Sequence, residues 1–115
     1  MKLINIKHRD QKVSFREAVL QGLGRDQGLF FPRAFDTLDD VPGLLQEPFV
    51  ARSTAVLNHL VGDEIGATAL AEMVSSAFDF PLEIPLLEDG TRAMELFHGP
   101  SLAFKDFGAR FMARC

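Results

Sequence analysis

Between Pro48 and Pro81 the chain carries two consecutive stretches of helical hydrophobic spacing, and nothing else in it restricts the fold as tightly. From Phe49 to about Val61 the positions Phe49, Val50, Val56, Leu57, Leu60 and Val61 form one apolar stripe, which Gly62 closes. From about Ala67 to Phe78 the positions Leu70, Met73, Val74, Ala77 and Phe78 form a second. Two helices with one apolar stripe each must bury those stripes against one another and against further elements. The preceding sequence supplies candidates. Residues 2–8 alternate Leu3, Asn5, Lys7 against Ile4, Ile6, His8, and only one set is consistently apolar, which predicts a half-buried strand. Ser14-Phe15-Arg16-Glu17 is a capping box that opens a helix through Phe15, Ala18, Val19, Gly22 and Leu23, with Gly24 as its stop. Gly28 to Pro32 reads as a turn and a short buried strand, and residues 33–48 as irregular linker with at most one helical turn near Leu44-Leu45. The fold class this implies is α+β.

After the second stripe Pro81 and Pro85 punctuate the chain, and the composition shift there divides it into a unit at 1–82 and the start of another at 83–115. Ile84–Leu87 and Arg92–Phe97 flank Glu88-Asp89-Gly90-Thr91, which is hairpin chemistry, since Asp-Gly tolerates the positive φ of a tight turn. His98-Gly99-Pro100 then breaks the strand, and Ser101 is a candidate N-cap for a last helix. Phe111 to Cys115 lie inside an unfinished apolar pattern with no capping residue after it, so the chain reads as the front end of something larger.

Composition excludes several classes of function. At 115 residues, 47% hydrophobic and 24% charged, the chain matches ordinary globular usage. Twelve basic residues against 16 acidic leave a net charge of −4 and no basic cluster, which argues against nucleic acid as a partner. No apolar run approaches the roughly 20 residues of a membrane span, and the start has no signal-peptide pattern. A single cysteine forms no internal disulfide, so nothing needs an oxidising compartment and the cytoplasm is the expected location. His8, His59 and His98 are scattered without cysteine or carboxylate at ligand spacing, so no metal site is expected. Gly22-Leu23-Gly24 ends a helix instead of opening one and is no dinucleotide fingerprint.

The last helix is the most informative segment. On a wheel of about 100° per residue with Phe104 at zero, Phe107, Gly108, Phe111 and Met112 fall within about 80°. Asp106, Arg110 and Ala113 lie opposite, and Lys105 falls at the edge of the apolar stripe, about 20° from Met112. Desolvation there would favour the neutral amine and make Lys105 a nucleophile or Schiff-base partner. The wheel equally accommodates a structural lysine whose stem follows the core edge while its amine snorkels to water. Gly108, one turn on, leaves room beside the lysine for another backbone or a flat ligand.

The run ELFHGPSLAFKDFGARFMA, Glu95 to Ala113, resembles the pyridoxal-phosphate lysine segment of the threonine synthase family. SFREAVLQGLGRDQGLFFP, Ser14 to Pro32, is similar to the opening motif of that family's N-terminal domain, and FVARS (Phe49–Ser53) and GDEI (Gly62–Ile65) resemble it too. The resemblance spans essentially the whole chain and is strongest to the bacterial form. One departure is Ser101, where the family usually has threonine; the hydroxyl is kept.

The resemblance implies a fold-type-II pyridoxal 5'-phosphate enzyme: residues 1–82 as the N-terminal domain, 83–115 as the beginning of the cofactor-binding catalytic domain. It implies conversion of the small-molecule substrate O-phosphohomoserine, with water, to threonine and phosphate. Lys105 would be the Schiff-base lysine and proton shuttle, Phe104 would pack near the cofactor ring, and Ser101 with the His98-Gly99-Pro100 turn would shape the pocket. The family's glycine-rich phosphate loop and the group facing the pyridine nitrogen lie downstream of this lysine, so the 115-residue chain alone is expected to be inactive. Two rival readings are a homologue that only eliminates phosphate from phosphorylated amino acids, and a non-catalytic packing or interaction module at 1–82.

Overall fold

The computed structural model describes residues 2–115. It begins with a small antiparallel sheet of β1 (Lys2–Asn5), β2 (Lys12–Ser14) and β3 (Phe30–Pro32), ordered β2-β1-β3. Leu3 sits opposite Val13 on one side and Pro32 on the other. The strand expected over 2–8 therefore ends at Asn5, and its buried face is not the Ile4–Ile6 one: Leu3 and Asn5 are buried, while Ile6 is 51% exposed.

Asn5 explains both differences. Its side chain is fully buried and bonded at both ends. Oδ1 accepts from the backbone N–H of Lys7 (2.9 Å) and His8 (3.3 Å), and Nδ2 donates to Gln11 Oε1 (2.7 Å) and the Arg25 carbonyl (3.0 Å). A buried amide with every end satisfied costs little, whereas an orphaned one is expensive. The side chain turns the chain after β1 and ties that turn to the Arg25–Gln27 3₁₀ turn, where Asp26 and Gln27 take positive φ (54° and 58°). Gly28 is required by this packing, because a Cβ there would meet Asn5 Cγ at 2.6 Å.

The capping box forms as expected: Glu17 N–H donates to Ser14 Oγ (3.1 Å), and Ser14 N–H to Glu17 Oε2 (2.8 Å). The helix it opens, α1 (Phe15–Gln21), stops at Gly22 and not at Gly24, which is extended and packs on Gln11 and Asn5. The expected buried strand at β3 is only half-buried, with Phe31 exposed. The linker contains α2 (Val41–Gln46), capped by Asp40 Oδ1 on the Gly43 N–H (2.9 Å).

The two apolar stripes become α3 (Phe49–Ile65) and α4 (Ala67–Ala77), which pack on each other through Val61, Leu70, Val74 and Ala77. Gly62 does not end α3. The helix runs one turn further, to Gly66 at φ 87°, because that turn carries Ile65 onto the core and Glu64 to α1. The Glu64 carboxylate accepts from the N–H groups of Phe15 (3.0 Å) and Arg16 (3.2 Å), unbonded donors of the first turn of α1.

The hairpin is present but too short for regular strands. It consists of the bridges Glu83–Glu95 and Leu86–Arg92 around a turn with Gly90 at φ 84°. Thr91 donates to Asp89 through its N–H (2.9 Å) and hydroxyl (2.6 Å), which holds the Asp89 carboxyl below its usual range. Ile84, Leu86, Leu87, Met94 and Phe97 are exposed, so no packed face supports longer pairing. Last comes α5 (Lys105–Met112), which docks on α4 and adds Phe111 to the core. The fold is a mixed α+β arrangement, with a radius of gyration of 16.1 Å against about 13 Å for a closed domain of this length. Among the described residues no helix is long and apolar enough to cross a membrane.

Candidate functional site

Lys105, Phe104 and Ser101 come together where the hairpin feeds into α5, and the way α5 is held decides what each can do. One side of the helix is fixed. Phe111 is buried in the α3–α4 core, and Phe107 sits among Phe80 (centroids 4.9 Å apart), Phe78 (5.9 Å) and Phe49 (6.1 Å). Arg110 donates to the carbonyls of Ala77 (2.8 Å) and Ser76 (3.1 Å), pairs with Asp79 (2.5 Å) and lies over the Phe80 ring. Asp106 is 7% exposed and accepts from Ser101.

This corrects the wheel reading. Asp106 and Arg110, expected on the solvated side, are part of the buried side. Lys105 and Met112 are exposed, and Gly108 has nothing within 4 Å of where a Cβ would stand. The four phenylalanines near the lysine in sequence do not enclose it: Phe107 and Phe111 turn onto the helices, while Phe97 and Phe104 (65% exposed) face outward. The Lys105 amine has no hydrogen-bond or ion-pair partner among the described residues. The segment thus presents a free primary amine, the outward rings of Phe97 and Phe104, and open space over Gly108.

Ser101 does not cap α5. It lies in the turn before the helix, whose preceding residue is Phe104, and both its N–H (2.9 Å) and its hydroxyl (2.8 Å) donate forward to Asp106. Asp106 is the site residue that sequence reasoning missed. The available signal was its place beside Lys105, five residues after a turn serine, but an acidic side chain on a helix ordinarily reads as solvated.

The histidines are less isolated than expected. His98 Nε2 is 2.6 Å from Glu95 Oε2, three residues earlier, and the bridge between the hairpin arms brings Glu83 alongside. Ligand-capable atoms of Glu83, Glu95 and His98 lie within 4.8 Å of one another, so carboxylates do stand at ligand distance from this histidine. The Glu95–His98 hydrogen bond satisfies that pair without an ion. His8 pairs with Asp26 (2.5 Å), and His59 Nε2 is 3.1 Å from the Asp36 carbonyl.

The chain thus combines a three-stranded sheet, two helices packed on each other, and a hairpin that leads to a lysine at the first position of a docked helix. The sequence profile described as threonine synthase N terminus matches residues 3–78, and the chain belongs to that family. It is 51% identical over 114 residues to threonine synthase of Haemophilus influenzae and 48% identical over 116 residues to that of Escherichia coli. In both cases the match covers 99% of this chain and 27% of the relative. Among solved structures, the crystal structure of Escherichia coli threonine synthase superposes with a TM-score of 0.94 at 47% identity, over 99% of this chain and 27% of that one. A structure described as PLP-bound threonine synthase from Brucella melitensis gives 0.87 at 30% identity, over 99% of this chain and 26% of the other. The chain thus spans about a quarter of the length of the relatives it matches.

Proposed function

We propose that this chain is the N-terminal part of a pyridoxal-phosphate-dependent threonine synthase that converts O-phosphohomoserine and water to L-threonine and phosphate. On this reading residues 1–82 are the N-terminal domain and 83–115 begin the catalytic domain. The reading makes the enzyme a carbon–oxygen lyase acting on a phosphate ester, in threonine biosynthesis in the cytoplasm. The observation that carries it is the unpartnered, exposed amine of Lys105 at the start of α5, within the run Glu95–Ala113.

The residues present fit the cofactor by the chemistry they offer. Lys105 Nζ would hold its aldehyde covalently, and the outward Phe104 would lie against the ring. Ser101 would line the near wall. When bound, the cofactor supplies an electron sink for carbanions at the substrate's α and neighbouring carbons. Lys105 Nζ, close to those carbons, would take and return their protons. Phe97, Phe104 and Leu102 are exposed here and would exclude water once covered.

Borohydride reduction of the full-length protein followed by peptide mass analysis should label Lys105; label on another residue, or none, removes the cofactor assignment. Phosphate release from O-phosphohomoserine should be measurable for the full-length protein and absent for the 115-residue chain. Threonine as product supports the synthase; a 2-oxo acid in its place assigns a phospholyase.

A further inference from the structure

Asp106 is a buried carboxylate that the proposed chemistry does not use. It lies next to Lys105 in sequence, and its two oxygens are committed to one residue: Oδ2 accepts the Ser101 N–H (2.9 Å) and Oδ1 the Ser101 hydroxyl (2.8 Å). Around it the backbone is tightly determined. A Cβ on Gly99 would stand 2.7 Å from Asp106 Cβ, an atom that no side-chain rotation can move away. Leu102 is held at φ 57°, a conformation disfavoured for a leucine, while its N–H donates to the Gly99 carbonyl (3.0 Å). Strained residues of this kind persist where surrounding contacts over-determine them, and they gather at sites that need a preset geometry.

We propose that Asp106 is a positioning residue for the lysine site: it clasps the Gly99–Ser101 turn to the first turn of α5 and engages the one hydrogen of the Ser101 hydroxyl as a hydrogen-bond acceptor. The proposal rests on the cofactor reading above. Its chemical consequence is specific. A carboxylate only accepts, and a hydroxyl has one proton, so Ser101 Oγ is left with lone pairs alone. Towards a bound cofactor or substrate, Ser101 then acts as an acceptor for a donor group and not as a donor to phosphate. The same clasp fixes where α5 begins, and so where the Lys105 side chain leaves the backbone.

The test uses full-length protein with Asp106→Asn, Asp106→Ala, Ser101→Ala and the double variant Asp106→Asn/Ser101→Ala. In cofactor-free protein, amide exchange across 99–106 should rise roughly tenfold in Asp106→Ala, as expected when a charge-assisted hydrogen bond is lost. Asp106→Asn keeps the shape but its amide nitrogen donates to Ser101 Oγ and reverses the hydroxyl. With cofactor bound, this variant should keep wild-type far-ultraviolet dichroism while the pH midpoint of the lysine–cofactor absorbance band moves. That shift should be largely absent once Ser101 is alanine. Unchanged exchange in Asp106→Ala overturns the clasp. A band that forms in wild type and keeps its midpoint in Asp106→Asn, or shifts equally with and without the Ser101 hydroxyl, overturns the positioning role alone. A wild-type protein with no such band overturns the cofactor reading and the positioning role with it.

Discussion

Arg110 Nε donates to the carbonyl of Ala77 at 2.8 Å, linking α5 to the last residue of α4. The last carbonyls of a helix have no partner of their own, and the helix dipole favours a cation there. Arg110 therefore supplies both the missing donors and the charge, and through them it sets the rotation of α5. With Asp106, Phe107 and Phe111 it turns Lys105 and Gly108 outward.

Arg110→Ala should lower stability by about 2 kcal/mol through the lost charge-assisted bonds, with little added by the half-exposed pair to Asp79. Arg110→Lys should recover less than half, since an ammonium cannot reproduce the planar fork that reaches two carbonyls and a carboxylate. Urea midpoints at unchanged slope measure both. Full recovery by lysine would show that charge alone matters.

Asn5→Ala should cost about 2 kcal/mol, because it leaves the Lys7 N–H without its partner and takes one bond each from the His8 N–H, the Gln11 amide oxygen and the Arg25 carbonyl, which keep the Asn5 carbonyl, the Arg25 N–H and the Gly28 N–H. A thermal scan that shifts by less than the equivalent of about 1 kcal/mol would show that water takes over the network.

The two glycines near the end of α3 should respond in opposite ways. Gly66→Ala places a Cβ at φ 87° and should destabilise by about 1 kcal/mol. Gly62→Ala lies inside the helix, where a Cβ meets the end of the flexible Asn58 side chain (2.9 Å to Cγ). It should be neutral or stabilise by up to about 1 kcal/mol. Equal losses at both positions would mean that Gly62 shapes the helix after all.

Glu64 links α3 to α1 in a pH-dependent way. Partial burial pushes its carboxyl upward and is the largest single influence, the Phe15 and Arg16 N–H groups are among those that pull it down, and the net direction is below the ordinary glutamate value of 4.5. The folded chain therefore binds this proton less readily than the unfolded chain. The stabilisation is complete above about pH 5 and is lost as the pH falls through the lowered value. The stability gap between wild type and Glu64→Gln should shrink between about pH 5 and pH 3; a gap independent of pH in that range would rule the linkage out.

Helix α5 separates what periodicity can tell from what it cannot. With Phe104 at zero, the side held by the rest of the molecule runs from Asp106 at about 200° through Arg110 and Phe107 to Phe111 at about 340°. A wheel that sorts residues by polarity centres the stripe near zero instead, because it assigns Asp106 and Arg110 to water. Both are satisfied by groups elsewhere, Asp106 by Ser101 and Arg110 by the end of α4. Polar residues with fixed partners pack inward as apolar ones do, and no helix displays its partners in its own sequence. The same reason hid Asn5: in a strand pattern an asparagine opposite isoleucines reads as the wet face.

The sequence by itself determined what is settled within a few residues. The Ser14–Glu17 box opens α1, the Asp89-Gly90 turn folds the hairpin, the stripes at 49–61 and 67–78 become helices, and the lysine segment is legible as written. Each depends on contacts between near neighbours, which the chain carries in any context. Tertiary structure decided which glycine ends a helix, which face of β1 is buried, which side of α5 docks, and that Asp106 holds Ser101. Most of those outcomes turn on hydrogen-bond partners 20 to 49 residues away, at Arg25 for Asn5, Ala77 for Arg110 and Glu64 for Phe15. The energy of satisfying a buried polar group exists only once folding has brought such partners together.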